Sequence, residues 1–161
     1  FKNLNDNNQF DSIINLQGDM PLIDSQDIKK VNLPLTNGFD IGTLVTNLTR
    51  IEEKSINITK AKVNWTKDKK IGNAVDFYKQ SKLNIEKNIY HHVGIYSFSF
   101  NSLKKFTELQ PSKNEIYHKL EQWRALDANM KIGASFVKNV PLSVDTKEDL
   151  IKVENIIKGI K

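Results

Sequence analysis

Apolar positions along this chain fall into short runs separated by asparagine- and lysine-rich stretches, and their spacing changes from run to run. Phe10, Ile13, Ile14 and Leu16 form a compact, β-branched segment too short for an ordinary helix, which predicts a buried strand. Gly18 follows, where a missing Cβ predicts a backbone turn, and Pro21 fixes the chain just beyond it. Asp24 or Ser25 can then cap a helix carrying Ile28 and Val31 that ends before Pro34. Residues 41–48, rich in Ile, Leu, Val and Thr, predict a second strand. Strand, helix, strand in this order favours an α/β fold with a mixed, mostly parallel sheet flanked by helices.

Over residues 60–79 the period drops to two, with Ala61, Val63 and Trp65 alternating with polar neighbours before Ala74 to Tyr78. This predicts an antiparallel arm, with Trp65 open to either a core or an interface role. Residues 2–9 and 80–88 are polar and predict loops, and Lys67 to Lys70 a solvated turn. Residues 91–98 predict a strand in which Gly94 allows close backbone approach. Leu103, Phe106 and Leu109 predict a short helix ended by Pro111. Ser112 and Glu115 match a capping box, and Ile116, Leu120, Trp123 and Leu126 then recur as one amphipathic helix. Residues 132–140 read as a strand, and Thr146 with Asp149 caps a last helix whose stripe is Leu150, Val153 and Ile157, with Gly159 near its end.

With 161 residues and 39% hydrophobic content, the chain can bury one substantial core, so a single domain is expected over 1–161. It has no cysteine, which removes disulfides and thiolate metal sites, and no apolar run long enough to span a bilayer. No membrane partner is expected. The formal charge of +5 would suit nucleic acid, but arginines occur only at positions 50 and 124 and the lysines are scattered, so no nucleic-acid partner is expected. The Asn-x-Thr triplets at Asn47, Asn57 and Asn64 read as coincidence in an asparagine-rich chain.

Candidate chemistry gathers at two carboxylates. Asp19 lies past the end of the first strand, and Asp145 lies after a strand and just before a helix. In open α/β sheets ligands bind in the crevice beyond strand ends, where a carboxylate can hold a cation or accept a hydroxyl. A turn aspartate capping the following helix is the plainer reading of Asp19, and local spacing leaves both open. His91 and His92 are adjacent in a strand and face opposite ways, so they are not expected to share a metal. Glu115 and Gln122 would lie two turns apart on one helix face, or serve only as a cap and a solvated side chain.

The segments INLQGDMPLI, YHHVGIY, KLEQWRAL and PLSVDTKEDL, in this order and spacing, closely resemble the 3-deoxy-manno-octulosonate cytidylyltransferases, or CMP-KDO synthetases, over essentially the whole chain. The resemblance implies a nucleotide-diphospho-sugar transferase (Rossmann-like) fold and a cytoplasmic homodimer. It also implies magnesium-dependent transfer of CMP from CTP to KDO for lipopolysaccharide synthesis. It assigns Asp19 in QGD and Asp145 in VDT as the Mg2+-binding, catalytic pair. By the same matching Gln17, His92, Tyr96, Glu121 and Gln122 would contact the sugar acid, with Glu115 and Lys79 as further substrate-binding candidates.

Three positions depart from the family pattern: Met20 and His118 stand where glutamates are usual, and Lys79 stands where an arginine would grip a carboxylate. A related 3-deoxy sugar acid is therefore an alternative substrate. The family's opening strand and its basic, glycine-containing triphosphate loop have no counterpart before Phe1, so this chain resembles the C-terminal two-thirds of a family member. In isolation it is expected to be inactive. A non-catalytic sugar-acid-binding or assembly module is the alternative function.

Overall fold

The computed structural model describes residues 10–67, 70–80 and 87–159. The expectations for residues 2–9 and for most of 80–88 lie outside these, as does part of the Lys67–Lys70 turn. Six strands and six α-helices follow one another as β1 (Ile13–Asn15), α1 (Ser25–Lys30), β2 (Ile41–Thr46), α2 (Arg50–Lys54), β3 (Lys60–Trp65), β4 (Ile71–Tyr78), β5 (Ile89–Phe98), α3 (Phe100–Glu108), α4 (Lys113–His118), α5 (Gln122–Asp127), β6 (Ile132–Phe136) and α6 (Lys147–Ile157).

The fold is a mixed α/β arrangement, but the sheet is not mostly parallel. Its order is β1-β5-β2-β6-β4-β3, with β3 also pairing to β5, so the ladder closes on itself through β5, β2, β6, β4 and β3. Only β2 with β6 is parallel; every other described pairing is antiparallel. The physical reason is the connections. A parallel crossover needs a dozen or more residues, usually with a helix, whereas β3 ends at Trp65 and β4 begins at Ile71, with Thr66 bonding the Ile71 carbonyl. The 60–79 hairpin is antiparallel as its alternation predicts, and both its strands pair onward, β3 to β5 and β4 to β6.

β2 sits at the centre and all six of its residues are buried, which is why its sequence is continuously apolar or threonine rather than alternating. One face of the sheet packs Ile41, Val45, Ala61, Phe77 and Ile132 against α5 and its flanks; the other packs Leu44, Val93 and Ile95 against Val31, Met20 and Val137. Gly42 lets the chain after α1 come close: the Ser97 hydroxyl donates to the Val31 carbonyl at 2.6 Å directly beside it.

The caps of α1, α4 and α6 fall where the sequence places them, and the box of α2 joins them. Asp24 caps α1, Thr49 and Glu52 box α2, Ser112 and Glu115 box α4, and Thr146 and Asp149 box α6. The expected single helix through Ile116 and Leu126 is instead two. Lys119 is left-handed at φ 55°, ending α4, and α5 starts afresh at Gln122. The His118 ring stacks on Trp123 across the break, centroids 4.9 Å apart, and Ile116 points outward while Leu120 is buried. In α6 only Val153 is buried; Leu150 and Ile157 are exposed, so the predicted stripe is narrower than drawn. The strands at 41–48 and 132–140 end earlier, at Thr46 and Phe136. The expected turn falls at Gly18, though its φ is not positive and nothing crowds the place a Cβ would take, and at Gly94 the close approach expected is absent.

Lys60 is fully buried at the start of β3. Its ammonium donates to the Ser55 carbonyl and, at 2.7 Å, to the Lys79 carbonyl, joining the loop after α2 to the end of β4. Burial pushes that ammonium below the ordinary lysine value, with the Glu53 carboxylate pulling the other way.

Gly42→Ala should destabilise the protein by about 3 kcal/mol, because the new methyl would collide with the Val31 carbonyl and the Ser97 hydroxyl. A urea unfolding midpoint indistinguishable from wild type would contradict this packing.

Candidate functional site

The site is built around an irregularity in β5. Thr43 of β2 pairs with Tyr96 while the next residue, Leu44, pairs with Val93, so Gly94 and Ile95 bulge out of the ladder. The buried Thr43 hydroxyl fills this gap, lying 2.9 Å from the Ile95 carbonyl, 3.3 Å from the Val93 carbonyl and 2.9 Å from His92 Nε2. A hydroxyl has one proton, and the two carbonyls can only accept it. His92 Nε2 is therefore assigned as the N–H donor to Thr43, which leaves Nδ1 as a bare acceptor. Burial, reinforced by His91 next to it, lowers the His92 pKa to about 3, so the ring is neutral near pH 7.

Tyr96 lies past the bulge and tilts toward His92, with ring centroids 5.6 Å apart. Its phenol accepts a short hydrogen bond from the Gln122 amide, and burial raises its pKa, keeping it protonated. Gln122 reaches it because the break at Lys119 restarts the chain as α5, whose first turn presents Glu121 and Gln122 to the sheet. The Gln122 Oε1 atom is buried without a protein partner, which marks it as an acceptor for a donor from elsewhere.

Two adjoining cavities open here. One, of about 700 Å³, runs from Gln17, Asp19 and Met20 past Asn57–Thr59 and residues 91–94 to Tyr96, Gln122 and the wall 140–145, with Asp149 at its edge. The other, of about 400 Å³, is more apolar and is lined by Ile13, Ile14, Phe98, Leu103, Phe106 and Glu121; Gln17, Tyr96 and Gln122 are shared by both. The chain after β1 is held against the chain before α6 by the Val144 amide, which donates to the Asp19 carbonyl at 2.8 Å. That contact brings Asp19 and Asp145, distant in sequence, to one cleft.

Of the sequence candidates, Gln17, Asp19, His92, Tyr96, Gln122 and Asp145 line the larger cavity, and Glu121 lines the smaller. Glu115 lines neither. It is a buried structural anchor, taking Arg124 at 2.8 Å and 2.5 Å on its two oxygens while boxing Ser112, and the guanidinium holds its carboxyl below the usual range. Lys79 also lines neither, and its carbonyl is taken by Lys60. His91 lines the larger cavity beside His92 and bonds Glu52, Nδ1 to Oε1 at 2.9 Å. Sequence reasoning missed Thr43, an ordinary strand threonine until the bulge beside it is seen, and also Asn57, Thr59 and Ser143 of the cleft wall.

The two aspartates are able to hold a hard cation. Asp19 has one long contact, 3.4 Å from the Ser143 hydroxyl, and Asp145 has no side-chain partner among the described residues, so their oxygens are available. No cluster of three or more His, Cys, Asp or Glu that could hold a metal ion forms among the described residues.

A sequence model of the family described as Cytidylyltransferase matches residues 1–132. The chain is 38% identical to the 3-deoxy-manno-octulosonate cytidylyltransferase of Paramagnetospirillum magneticum, covering 98% of this chain and 65% of that protein. It is 39% identical to the enzyme of the same name from Brucella canis, covering 91% and 59%. The chain thus spans less than two-thirds of the length of these curated relatives. Among solved structures it is similar to a CMP:2-keto-3-deoxy-manno-octonic acid synthetase complexed with CTP, at TM-score 0.81 and 26% identity over 98% of this chain and 66% of that one. A UDP-glucose pyrophosphorylase complexed with UDP-glucose, at TM-score 0.56 and 16% identity over 94% and 54%, shares the fold alone.

The neutral, buried His92 predicts an acid-side stability loss. The folded ring takes no proton until about pH 3, whereas the unfolded chain takes one near the ordinary value of 6.5. Stability should therefore fall as pH drops below 6.5, by up to about 1.4 kcal/mol per pH unit. The depressed carboxylates such as Glu115 begin to contribute only about one unit above their ordinary value of 4.5, so the buried histidine's share is clearest from pH 6.5 to about 5.5. His92→Gln should flatten the urea-midpoint curve across that window; an unchanged slope would refute the assignment.

Proposed function

Since this chain belongs to the cytidylyltransferase family, we propose that it carries the acceptor and cation side of a reaction moving CMP from CTP to KDO, or to a closely related 3-deoxy sugar acid, with release of pyrophosphate. The observation behind this reading is the convergence of Gln17, Asp19, His92, Tyr96, Gln122 and Asp145 on one cleft. The names of the curated relatives and the structural similarity to a synthetase complexed with CTP support it. A homodimer, a cytoplasmic setting and a place in lipopolysaccharide synthesis belong to the same proposal.

In the reaction a sugar hydroxyl oxygen bonds to the α-phosphorus of CTP, the bond from that phosphorus to the bridging oxygen of pyrophosphate breaks, and the hydroxyl proton is released. Asp19 and Asp145 would hold Mg2+ between them. The ion would supply charge neutralisation at the α-phosphate and a fixed point for the attacking hydroxyl. The chain's own groups orient the acceptor. His92 Nδ1, with its proton fixed on the far nitrogen by Thr43, accepts from a sugar hydroxyl. The Tyr96 phenol stays protonated and donates, and Gln122 Oε1 accepts in a pocket without a protein donor. A wall of imidazole, phenol and amide fixes a polyol without bringing competing charge, and such positioning is the main lever in nucleotidyl transfer.

The test is an assay of the protein as the cell makes it, with CTP, Mg2+ and KDO, following pyrophosphate. Asp19→Asn and Asp145→Asn should each lower kcat by about 100-fold or more, and chelation of divalent cations should abolish turnover. Full activity in both variants would overturn the cation assignment, and sugar-acid binding without turnover in wild type would move the protein to the binding-module reading.

A further inference from the structure

The larger cleft poses a charge problem. Its charged lining among the described residues consists of Asp19, Asp145 and Asp149, and neither lysine nor arginine lines it. A sugar acid brings a further carboxylate into this surrounding, and a cation held by the aspartates answers the phosphates rather than that group. Lys79, the sequence candidate for the carboxylate, lines neither cavity. His92 is held neutral by burial, and one of its nitrogens is committed to Thr43.

His91 is different. It stands one residue earlier on β5, lines the same cleft and is partly exposed. Its Nδ1 is fixed at 2.9 Å from Glu52 Oε1, while the other oxygen of Glu52 accepts the Thr49 amide at 2.8 Å, so the carboxylate is tethered to the start of α2. Those hydrogen bonds hold Glu52 in its ionised form, against the opposing effect of burial. His91 Nε2 has no partner among the described residues, yet it is not among the atoms sealed from solvent without one. It is a free ring nitrogen opening outward.

We propose that His91 is a specificity-determining contact whose ring stands between two carboxylates: Glu52 at Nδ1 and the acid group of the acceptor at Nε2. Glu52 is a positioning residue. It orients the ring and holds it from the side opposite the acceptor. The inference rests on the sugar-acid reading above and extends it to this chain's own choice of contact.

The experiment measures KM for KDO and for CTP with wild type, His91→Gln and Glu52→Gln, together with the KDO carboxamide, a neutral analogue of the acid. Glutamine can still box Thr49, so Glu52→Gln should fold. His91→Gln should raise KM for KDO roughly 10- to 100-fold, the range for a charge-assisted hydrogen bond, with KM for CTP little changed. Wild type should prefer the acid over its carboxamide, and His91→Gln should lose most of that preference. Glu52→Gln should move the preference the same way by a smaller factor, an effect that a merely structural role would not produce. If wild type uses KDO and His91→Gln keeps both its KM and its preference for the acid, the inference is overturned while the function stands. If wild type neither binds nor uses KDO, the functional reading fails and the inference falls with it.

Discussion

One buried hydroxyl holds the site in its shape. Where β5 bulges, the Val93 and Ile95 carbonyls face a buried side-chain hydroxyl, and an unpaired buried carbonyl costs about 1–3 kcal/mol. The Thr43 hydroxyl reaches both from the neighbouring strand, shares its one proton with them and accepts from His92. The bulge, the tautomer of His92 and the direction of Tyr96 are thus one arrangement. A valine of nearly the same shape would leave two carbonyls and a ring N–H stranded together. The position has to be a hydroxyl because of what lies across the ladder, even though its own strand would accept any β-branched residue.

Local chemistry was legible in the sequence and distant pairing was not. Asp24, the boxes at Ser112 and Thr146 and the buried run of β2 follow from spacing, because each depends on residues within a few positions. The direction of the strands does not. The β3–β4 turn and the long β5, which serves three neighbours, replace the expected parallel crossovers with antiparallel pairings. The split between α4 and α5 escaped for a related reason, since Ile116 and Leu120 keep helical spacing across a residue that turns left-handed. Stacking of His118 on Trp123 and the grip of Arg124 on Glu115 favour the break, and both are tertiary contacts. Glu115 shows the limit of spacing as a guide to function. It sits where a substrate contact would be sought, and its oxygens are already taken.

The charge of the site runs against the charge of the chain. A formal +5 spread over the surface says nothing about a cleft whose fixed charges are aspartates. In such a cleft anionic substrates gain from a cation brought with them and from the few protonatable groups within reach, so selectivity concentrates in very few atoms. The neutral groups on the same wall, Gln122 and Tyr96, are of the kind that tells hydroxyl from hydrogen rather than charge from charge.

The clamp formed by Lys60 acts on main-chain oxygens alone. Whatever side chains occupy positions 55 and 79, the carbonyls offered to the ammonium are the same, so those positions are free to drift without loosening the tie between loop and strand. Coevolution, which records compensating changes between side chains, is blind to such a link. The connection that fixes one wall of the cleft therefore leaves its trace in a single residue.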